Sequence, residues 1–422
     1  MPTPPLVLTV VLLVAALLPT SAAPLPATAA AAPAAAAAEP RQIGYAQWTS
    51  GADFRSGRLL GVRSSKGRVT LKEPTRQRRY DGRRYDMGTW ISPWVASPFD
   101  FTELVASWVA RTPRDSWIEV QVRGRDRAGS RASWDTLARW AAGDRFVRRT
   151  TVSGQSDDLA DVNVDTWRTS GLAAWQLRVR LMRKAGATRK SPRLESVGAM
   201  TSRLPPSSGV TASTPRRAAA GVVLDVPRYS QMVHQGHYPA WGNGGEAWCA
   251  PTSTSMVLGY YDALPPAKAW SWVPDGHEDP WVDLAARSTY DAEYEGTGNW
   301  PFNTAYAGTR TGEAFVTRLR SLREAEKFIL AGIPVIASIA FGSGELGGTP
   351  ISASNGHLLV IVGFTADGDV VVNDPAARER AGVRRTYDRG EFENAWLPKS
   401  GGLVFIVTDR NHPLPESNAS NW

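Results

Sequence analysis

A single cysteine, Cys249, is present in the 422 residues of this chain. One thiol cannot form an internal disulfide, so the fold must be held together by burial of apolar side chains, which a chain of this length can provide. The composition agrees, because 42% of the residues are apolar and 21% are charged, as in ordinary globular proteins. The sequence therefore predicts about two globular domains with accessory segments. The cysteine has three possible roles: an intermolecular bridge, a reactive thiol or a buried bystander.

The first 40 residues have the composition of an export signal. Residues 6–18 form an apolar run of the length of a signal-peptide core, and small-residue sequences suited to cleavage follow it. No Lys or Arg precedes the run, so an uncleaved N-terminal anchor is the alternative. No other segment approaches the length of a transmembrane helix. We predict a signal peptide and an Ala/Pro-rich leader at residues 1–40, and a secreted, extracellular protein.

The distribution of charge divides the chain into two unlike halves. Residues 1–220 carry 33 Lys and Arg against 17 Asp and Glu, whereas residues 221–422 carry 15 against 23. Residues 204–221 lie at this change, are rich in Pro, Ser, Thr and Ala, and lack hydrophobic periodicity, as is typical of a linker. We therefore predict three units besides the leader and the linker: an accessory domain at residues 41–203, a second domain at residues 222–410 and a tail at residues 411–422.

The accessory domain is predicted to be all-β. Around residues 117–123 and 174–181, apolar side chains alternate with polar or charged ones. This period of two indicates strands with one buried and one solvent-exposed face, and the spacing of further short apolar runs favours a β-sandwich. The excess of positive charge suggests contact with an anionic surface such as a cell wall, with a solvated basic face as the alternative. No recognised motif indicates nucleic-acid binding.

The second domain mixes helices with strands. Its predicted helices lie at residues 250–264, 321–333 and 387–397. Its predicted strands lie at residues 334–341, 356–364, 370–374 and 402–408. Ser321 and Glu324 fit a capping box, Gly332 fits a C-terminal cap, and Asp367–Gly368 fits a hairpin turn. Helices early and an antiparallel sheet late indicate an α+β domain.

Cys249 directly precedes the first of these helices. Unpaired N–H groups and a partial positive charge at a helix N-terminus favour the thiolate, and Gly244 and Gly245 would let the backbone approach a substrate closely. These features favour a reactive thiol over a buried structural cysteine. A catalytic thiol also needs a base and a group that orients this base.

His357 is the strongest candidate for the base, because it begins an apolar run and can face a cleft from the end of a strand. Asp374 ends the next predicted strand. A turn centred on Asp367–Gly368 pairs Ile361 with Asp374, on the strand face that also carries His357. This parity suits an orienting group and disfavours the rival Asn373, but a β-bulge or a shifted turn must close a gap of about four residues. A structural His and a turn-forming Asp-Pro are the alternatives.

Gln231 is a candidate for a side-chain N–H donor to an oxyanion, eighteen residues before the cysteine. His234 and His237 lie between them with a spacing that could suit a metal. No Cys or acidic residue accompanies these two histidines, so the sequence predicts no metal site and no cofactor. His277 lies in an acidic loop and His412 in the tail.

Four blocks of the second domain occur in the order seen in the C39-like peptidases, relatives of the papain-fold cysteine proteases: "LDVPRYSQ", "WCAPTSTSMVLGYY", "GIPVIASI" and "GHLLVIVGFTADGDVVVNDP". Over residues 222–410 the chain resembles this family. The resemblance implies an α+β papain-like peptidase domain, preceded here by the sandwich-like domain. It also implies four roles: Cys249 as nucleophile, His357 as general base and acid, Asp374 as orienting group and Gln231 as oxyanion donor.

Two departures from the family pattern concern the segment around the cysteine. Cys-Ala-Pro stands where the family often has Cys-Gly-Pro, and the interval from Gln to Cys is longer than is typical. Gln235 and Glu246 are therefore alternatives to Gln231. The Trp-rich stretches at residues 269–281 and 296–303 could line the cleft, with core packing as the alternative.

The sequence thus predicts an exported cysteine peptidase that acts on peptide or protein substrates through an acyl-thioester. The alternatives are a peptidoglycan amide hydrolase and a non-catalytic binding protein on a papain-like fold.

Overall fold

The structure is a computed structural model that describes residues 40–74, 76–156 and 158–422. The export signal predicted at residues 1–40 lies, apart from Pro40, outside the described residues. None of the helices in the described ranges is both long and apolar enough to cross a lipid bilayer.

Strands predominate in the described residues, which contain nineteen strands and six α-helices. The strands of the first half are β1 (Gln42–Trp48), β2 (Arg58–Leu60), β3 (Val62–Ser65), β4 (Arg68–Leu71), β5 (Arg76–Tyr80), β6 (Arg83–Ile91), β7 (Val95–Arg111), β8 (Ser116–Arg125), β9 (Asp135–Trp140), β10 (Thr150–Thr151), β11 (Ala160–Asn163), β12 (Thr166–Lys184) and β13 (Arg193–Arg203). Those of the second half are β14 (Glu313–Arg318), β15 (Val335–Phe341), β16 (Ser354–Phe364), β17 (Val370–Asn373), β18 (Arg384–Tyr387) and β19 (Leu403–Thr408). The helices are α1 (Gly51–Ser56), α2 (Cys249–Tyr260), α3 (Pro280–Thr289), α4 (Trp300–Thr311), α5 (Leu322–Leu330) and α6 (Arg389–Ser400).

The first thirteen strands form one hydrogen-bonded network of antiparallel ladders. Two long strands connect its parts, because each changes partner along its length. β7 pairs with β12 at its start and with β13 at its end, while β12 continues into ladders with β8 and β6. Strands that pass from one ladder to another in this way form the corners of layered β structures. The accessory half is therefore β-rich as predicted, with the short helix α1 as an addition.

The polar face of β8 differs from the prediction. Its apolar side chains are buried as expected, but Glu119, predicted to face solvent, is also buried. Its carboxylate accepts hydrogen bonds from Arg78, Arg139 and Arg180 at 2.8, 3.3 and 3.0 Å. Three guanidinium groups compensate for the loss of water around this charge. The arginines that suggested an anionic surface partner are thus partly neutralised from within the protein.

The second half contains a six-stranded antiparallel sheet in the order β14-β19-β15-β16-β17-β18. Its core strands and α2, α5 and α6 match predicted elements, whereas α3, α4, β14 and β18 were not predicted. Helix α5 follows Ser321 and precedes Gly332, as predicted, but it lacks the capping box. The Glu324 carboxylate accepts instead from the Arg320 N–H at 2.8 Å, and the Leu322 N–H donates to Glu393 of α6 at 2.7 Å.

Side chains of the two halves pack in one core. Phe302 of α4 contacts Trp108 and Trp140 of the first half, with ring centroids 6.2 and 5.3 Å apart. The Val316 N–H donates to the Ser107 hydroxyl at 2.8 Å. Residues 40–422 accordingly form one compact unit. Because α4 borders the candidate site described below, the first half helps to position that site.

The predicted linker and tail are both attached to the second half. In the linker, the Val210 N–H donates to the Asn394 side chain at 2.9 Å, and Ser213 donates to Glu393. In the tail, Asn421 is fully buried and donates to the Arg318 carbonyl at 2.9 Å. Neither segment is a free connection, and the domain boundaries drawn from the sequence stay a prediction.

Candidate active site

Cys249 is the first residue of α2, whereas the sequence placed it directly before this helix. Two short 3-10 turns, Met232–His234 and Gly245–Ala247, precede it. Gly244 has φ +104°, and a Cβ on Gly245 would lie 2.0 Å from the His234 carbonyl oxygen. The two glycines therefore permit close packing within this loop. Neither lines the cleft at Cys249, so their predicted role in substrate approach is not observed.

His357 and Asp374 are in direct contact. His357 Nε2 lies 2.8 Å from Asp374 Oδ1, and both side chains are buried, with 3% and 0% of their surface exposed. Asp374 also accepts from the Ala376 N–H at 2.9 Å and the Tyr387 hydroxyl at 2.7 Å. Burial alone would raise the pKa of Asp374, but His357 and these hydrogen bonds outweigh it and lower that pKa. Asp374 is thus held as a carboxylate against the imidazole.

A β-bulge brings these two residues together. Val360 lies opposite Asn373 and Ile361 opposite Val372, and the register shifts between Ile361 and Gly363. The position after Asn373 consequently falls near Leu359, two residues from His357. The predicted pairing of Ile361 with Asp374 was wrong, whereas the required bulge is present. The backbone of the bulge finds a hydrogen-bond partner outside the hairpin, because the Leu224 N–H donates to the Val362 carbonyl at 2.8 Å.

Asn373, the rival orienting residue, points away from His357. Its amide donates to the carbonyls of Val226 and Pro227 at 3.1 and 3.0 Å, and its oxygen accepts from Arg384. It therefore anchors the segment that leads to Gln231. Tyr387, which holds the far oxygen of Asp374, was missed because the sequence analysis placed it at the start of the helix at residues 387–397, whereas it ends β18, a strand that was not predicted.

The Cys249 thiol and the His357 imidazole are close enough to shift each other's pKa. Since Nε2 is bound to Asp374, the nitrogen that remains for the sulfur is Nδ1. Burial alone would raise the pKa of Cys249, but His357 and the N–H groups of Leu358 and Ala250 outweigh it, so the pKa is lowered. Burial would likewise lower the pKa of His357, yet Asp374 and Cys249 outweigh it and raise that pKa. This arrangement favours a thiolate–imidazolium pair, the reactive form of a cysteine nucleophile.

Gln231 lies at the same site despite the long interval before Cys249. The backbone N–H of Gln231 donates to the backbone carbonyl of Pro375 at 2.8 Å. Its side-chain amide donates to the backbone carbonyl of Glu246. An amide group has two hydrogens, so one remains for another acceptor. Of the alternatives, Gln235 does not line the cleft, and the Glu246 carboxylate accepts from the Gly236 N–H at 3.1 Å.

The cleft at Cys249 has a volume of about 690 Å³ and walls from both halves of the chain. Residues 163–166, from the end of β11 to the start of β12, line it from the accessory half, and Trp300 lines it from α4. The Trp300 N–H donates to Asp165 at 3.0 Å. Of the tryptophans predicted to line the cleft, Trp300 does so. The others pack among aromatic and arginine side chains, Trp281 against Tyr229, Trp270 against Trp281, and Trp272 against Arg287.

Comparisons with known proteins give a family for each half. Residues 44–202 match the family described as Peptidase C39 N-terminal domain, and residues 223–403 match the Peptidase_C39 like family. No curated protein matches the chain.

Three solved structures show distant likenesses to this chain. The structures of infectious bursal disease virus Gx and Gt strains are each 11% identical, cover 42% of this chain and 38% and 36% of their own, and have TM-scores of 0.21. A family two carbohydrate esterase from Cellvibrio japonicus is 10% identical, covers 44% of this chain and 43% of its own, and has a TM-score of 0.18. The chain thus spans less than half of each of these structures.

Proposed function

The chain belongs to the C39-like peptidase family, and on this premise we propose that it is an exported cysteine peptidase with Cys249 as nucleophile. One observation carries the proposal. The buried His357 is bound by Asp374 at 2.8 Å through one ring nitrogen, and it interacts with the Cys249 thiol and lowers the pKa of that thiol. A helix that presents the thiol to a sheet carrying the base and the carboxylate also supports a papain-like α+β fold.

The proposed reaction has two halves. The Cys249 thiolate attacks the carbonyl carbon of a peptide or amide bond, and the resulting oxyanion is stabilised by the Cys249 N–H and the second amide hydrogen of Gln231. His357 gives its proton to the leaving amine, and the C–N bond breaks to leave an acyl-thioester. Water then attacks this ester while His357 takes one proton, and the thiolate leaves as the carboxylic acid product departs.

Export and substrate class are further parts of the proposal. The apolar run at residues 6–18 supports export. The family supports a peptide or protein substrate. The amide bonds of peptidoglycan would require the same chemistry, and this alternative is an outcome of the experiment below. Three arginines are paired with Glu119, but the net positive charge of residues 1–220 is unchanged because Glu119 is already among their 17 acidic residues; attachment to a cell wall stays a prediction.

The test compares the purified protein with its Cys249→Ala and Cys249→Ser variants on a peptide library and on purified peptidoglycan. We expect hydrolysis by the unchanged protein and none by either variant. Release from peptidoglycan without peptide cleavage would assign the alternative substrate. Because the chain has one cysteine, the rate of alkylation reports Cys249 directly. A thiol that reacts no faster than free cysteine at neutral pH, with no hydrolysis of either substrate, would favour a non-catalytic binding protein.

A further inference from the structure

A second cluster of ionisable side chains lies outside the catalytic residues, around Asp283 of α3. His234 Nδ1 lies 3.2 Å from Asp283 Oδ2, and His237 Nδ1 lies 3.0 Å from Asp283 Oδ1. His234, His237 and Asp283 each offer one ligand atom, and these atoms lie within 4.8 Å of one another. The sequence analysis found no acidic partner for the two histidines because Asp283 follows His237 by 46 residues.

The hydrogen bonds within this cluster leave buried atoms without partners. His234 and Asp283 are both fully buried. Within the described residues, neither ring nitrogen of His234 has a hydrogen-bond partner, and neither does Asp283 Oδ2. His234 Nδ1 faces Asp283 Oδ2 at 3.2 Å without forming a hydrogen bond. Buried polar atoms are nearly always paired, so the lone pairs that converge here indicate a bound cation.

We propose that His234, His237 and Asp283 bind a divalent transition-metal ion, with Zn²⁺ as the best match. Imidazole nitrogens and a carboxylate oxygen are typical zinc ligands, and tetrahedral bonds of about 2.0–2.1 Å place neighbouring ligand atoms about 3.3 Å apart. The separation of 3.2 Å between His234 and Asp283 fits this value.

His277 is positioned to complete the site. Its ring stacks on His237, with centroids 3.6 Å apart and planes 17° apart. Its Nδ1 lies 3.7 Å from Asp283 Oδ1 and is buried without a hydrogen-bond partner in the described residues. The side chains of His237 and His277 are 18% and 23% exposed, which gives an ion a route from solvent. The fourth coordination position belongs to His277 or to water.

The metal would fasten the loop between Gln231 and Cys249 to α3. His234 packs against Trp248, with centroids 6.0 Å apart, and its carbonyl is in close contact with Gly245. The long interval that departs from the family pattern would thus be a metal-binding loop that positions the oxyanion donor and the nucleophile. Only this consequence for activity rests on the proposed function, because metal binding can be measured without it.

The test uses the full chain carrying Cys249→Ser, so that the thiolate cannot bind metal. After removal of metal with a chelator, Zn²⁺ binding is measured by isothermal titration calorimetry, and bound zinc by mass spectrometry. We expect one Zn²⁺ per chain. His234→Gln and Asp283→Asn should each weaken Zn²⁺ binding at least about 100-fold. Substitution of residues that only hydrogen-bond to metal ligands already lowers metal affinity by about 10- to 100-fold. His412→Gln is the matched control, because His412 pairs with Asp409 outside the cluster.

Folding is monitored separately, by thermal unfolding of every variant with and without Zn²⁺. The melting temperature of the Cys249→Ser protein should rise with Zn²⁺, and that of Asp283→Asn should not. If the substituted proteins do not fold, the visible absorption spectrum of Co²⁺ bound to the Cys249→Ser protein provides the test. We expect the spectrum of a tetrahedral site with nitrogen and oxygen ligands. Binding far below one equivalent, or binding that Asp283→Asn leaves unchanged in a folded protein, would overturn the proposal. Neither result would bear on peptide hydrolysis by Cys249.

Discussion

Replacement of Asp374 by Asn tests whether its carboxylate controls the reactivity of Cys249. The amide is nearly isosteric with the carboxylate. Its oxygen can still accept from His357 and the Ala376 N–H, and its NH₂ can donate to the Tyr387 hydroxyl, which then acts as an acceptor. The substitution therefore removes a negative charge at an otherwise satisfied position, and we expect the variant to fold.

The size of the effect follows from the contact of 2.8 Å between Asp374 and His357. At that distance, opposite charges attract by about 6 kcal/mol for an effective dielectric constant of about 20. The cost of burial offsets part of this, and a single charged partner typically changes a pKa by about 1–3. Without the carboxylate, the thiolate–imidazolium pair should therefore be destabilised by about 1.4–4 kcal/mol, since each pKa unit corresponds to 1.36 kcal/mol. The equilibrium constant between this pair and the neutral thiol–imidazole form should fall by about 10- to 1000-fold.

The assay is the rate of alkylation of Cys249 by iodoacetamide as a function of pH, read by mass spectrometry of the intact protein. In the Asp374→Asn variant the rate at neutral pH should fall, and the midpoint of the profile should move towards that of an ordinary thiol. Asp367→Asn is the matched control, because it removes one negative charge from an exposed position in the same hairpin. A folded Asp374→Asn protein with the alkylation profile of the unchanged protein would refute the reasoning.

Three further results are expected. The rate of hydrolysis should show a plateau around neutral pH, because the pKa of Cys249 is lowered and that of His357 is raised. If both groups had their ordinary pKa values, the thiolate–imidazolium pair would be a minority at every pH. A pH profile without such a plateau would contradict this prediction. Gln231→Ala should lower kcat by about 100- to 1000-fold with little change in KM, while Gln235→Ala should match the unchanged protein; equal effects of both variants would exclude Gln231 as the donor. Burial raises the pKa of Asp165 to about 7, so the folded state binds the proton of this carboxyl group more tightly than the unfolded chain does. Ionised Asp165 therefore destabilises the fold as the pH rises through about 7. Asp165→Asn should therefore raise the melting temperature at alkaline pH. This gain should disappear as the pH falls to the range in which a carboxyl group ordinarily titrates. A gain that is independent of pH would argue against burial of a charge.

Local patterns predicted most of the elements around the site. Elements that can be recognised from residues adjacent in the sequence lie where they were predicted. These are the apolar strands β15 to β17 and β19, and the start of α2 at Cys-Ala-Pro. The predicted site residues are also brought together: His357 and Asp374 are in contact, and Gln231 lines the cleft with Cys249. Parity along a strand is a robust signal, because a side chain on the wrong face cannot be corrected by a small movement.

The features that were missed all depend on residues far apart in the sequence. The sequence required a bulge or a shifted turn without locating it, and the bulge in β16 lies where residues 222–224 pair with this strand. Glu119 is buried because arginines from three other strands converge on it. The cap of α5 comes from Glu393, and the acidic partner of His234 and His237 comes from α3. Periodicity assigns a residue to a face, but it does not tell which other segment packs on that face.

The accessory half is best understood as part of the site. Its residues 163–166 line the cleft, and Asp165 accepts the N–H of Trp300, the first residue of α4. Phe302, two residues further along, is packed against Trp108 and Trp140. The position of Trp300 in the cleft therefore depends on contacts that the second half cannot make alone. A substrate bound at Cys249 would be enclosed by both halves, so the accessory half would act directly in substrate selection as well as in stability.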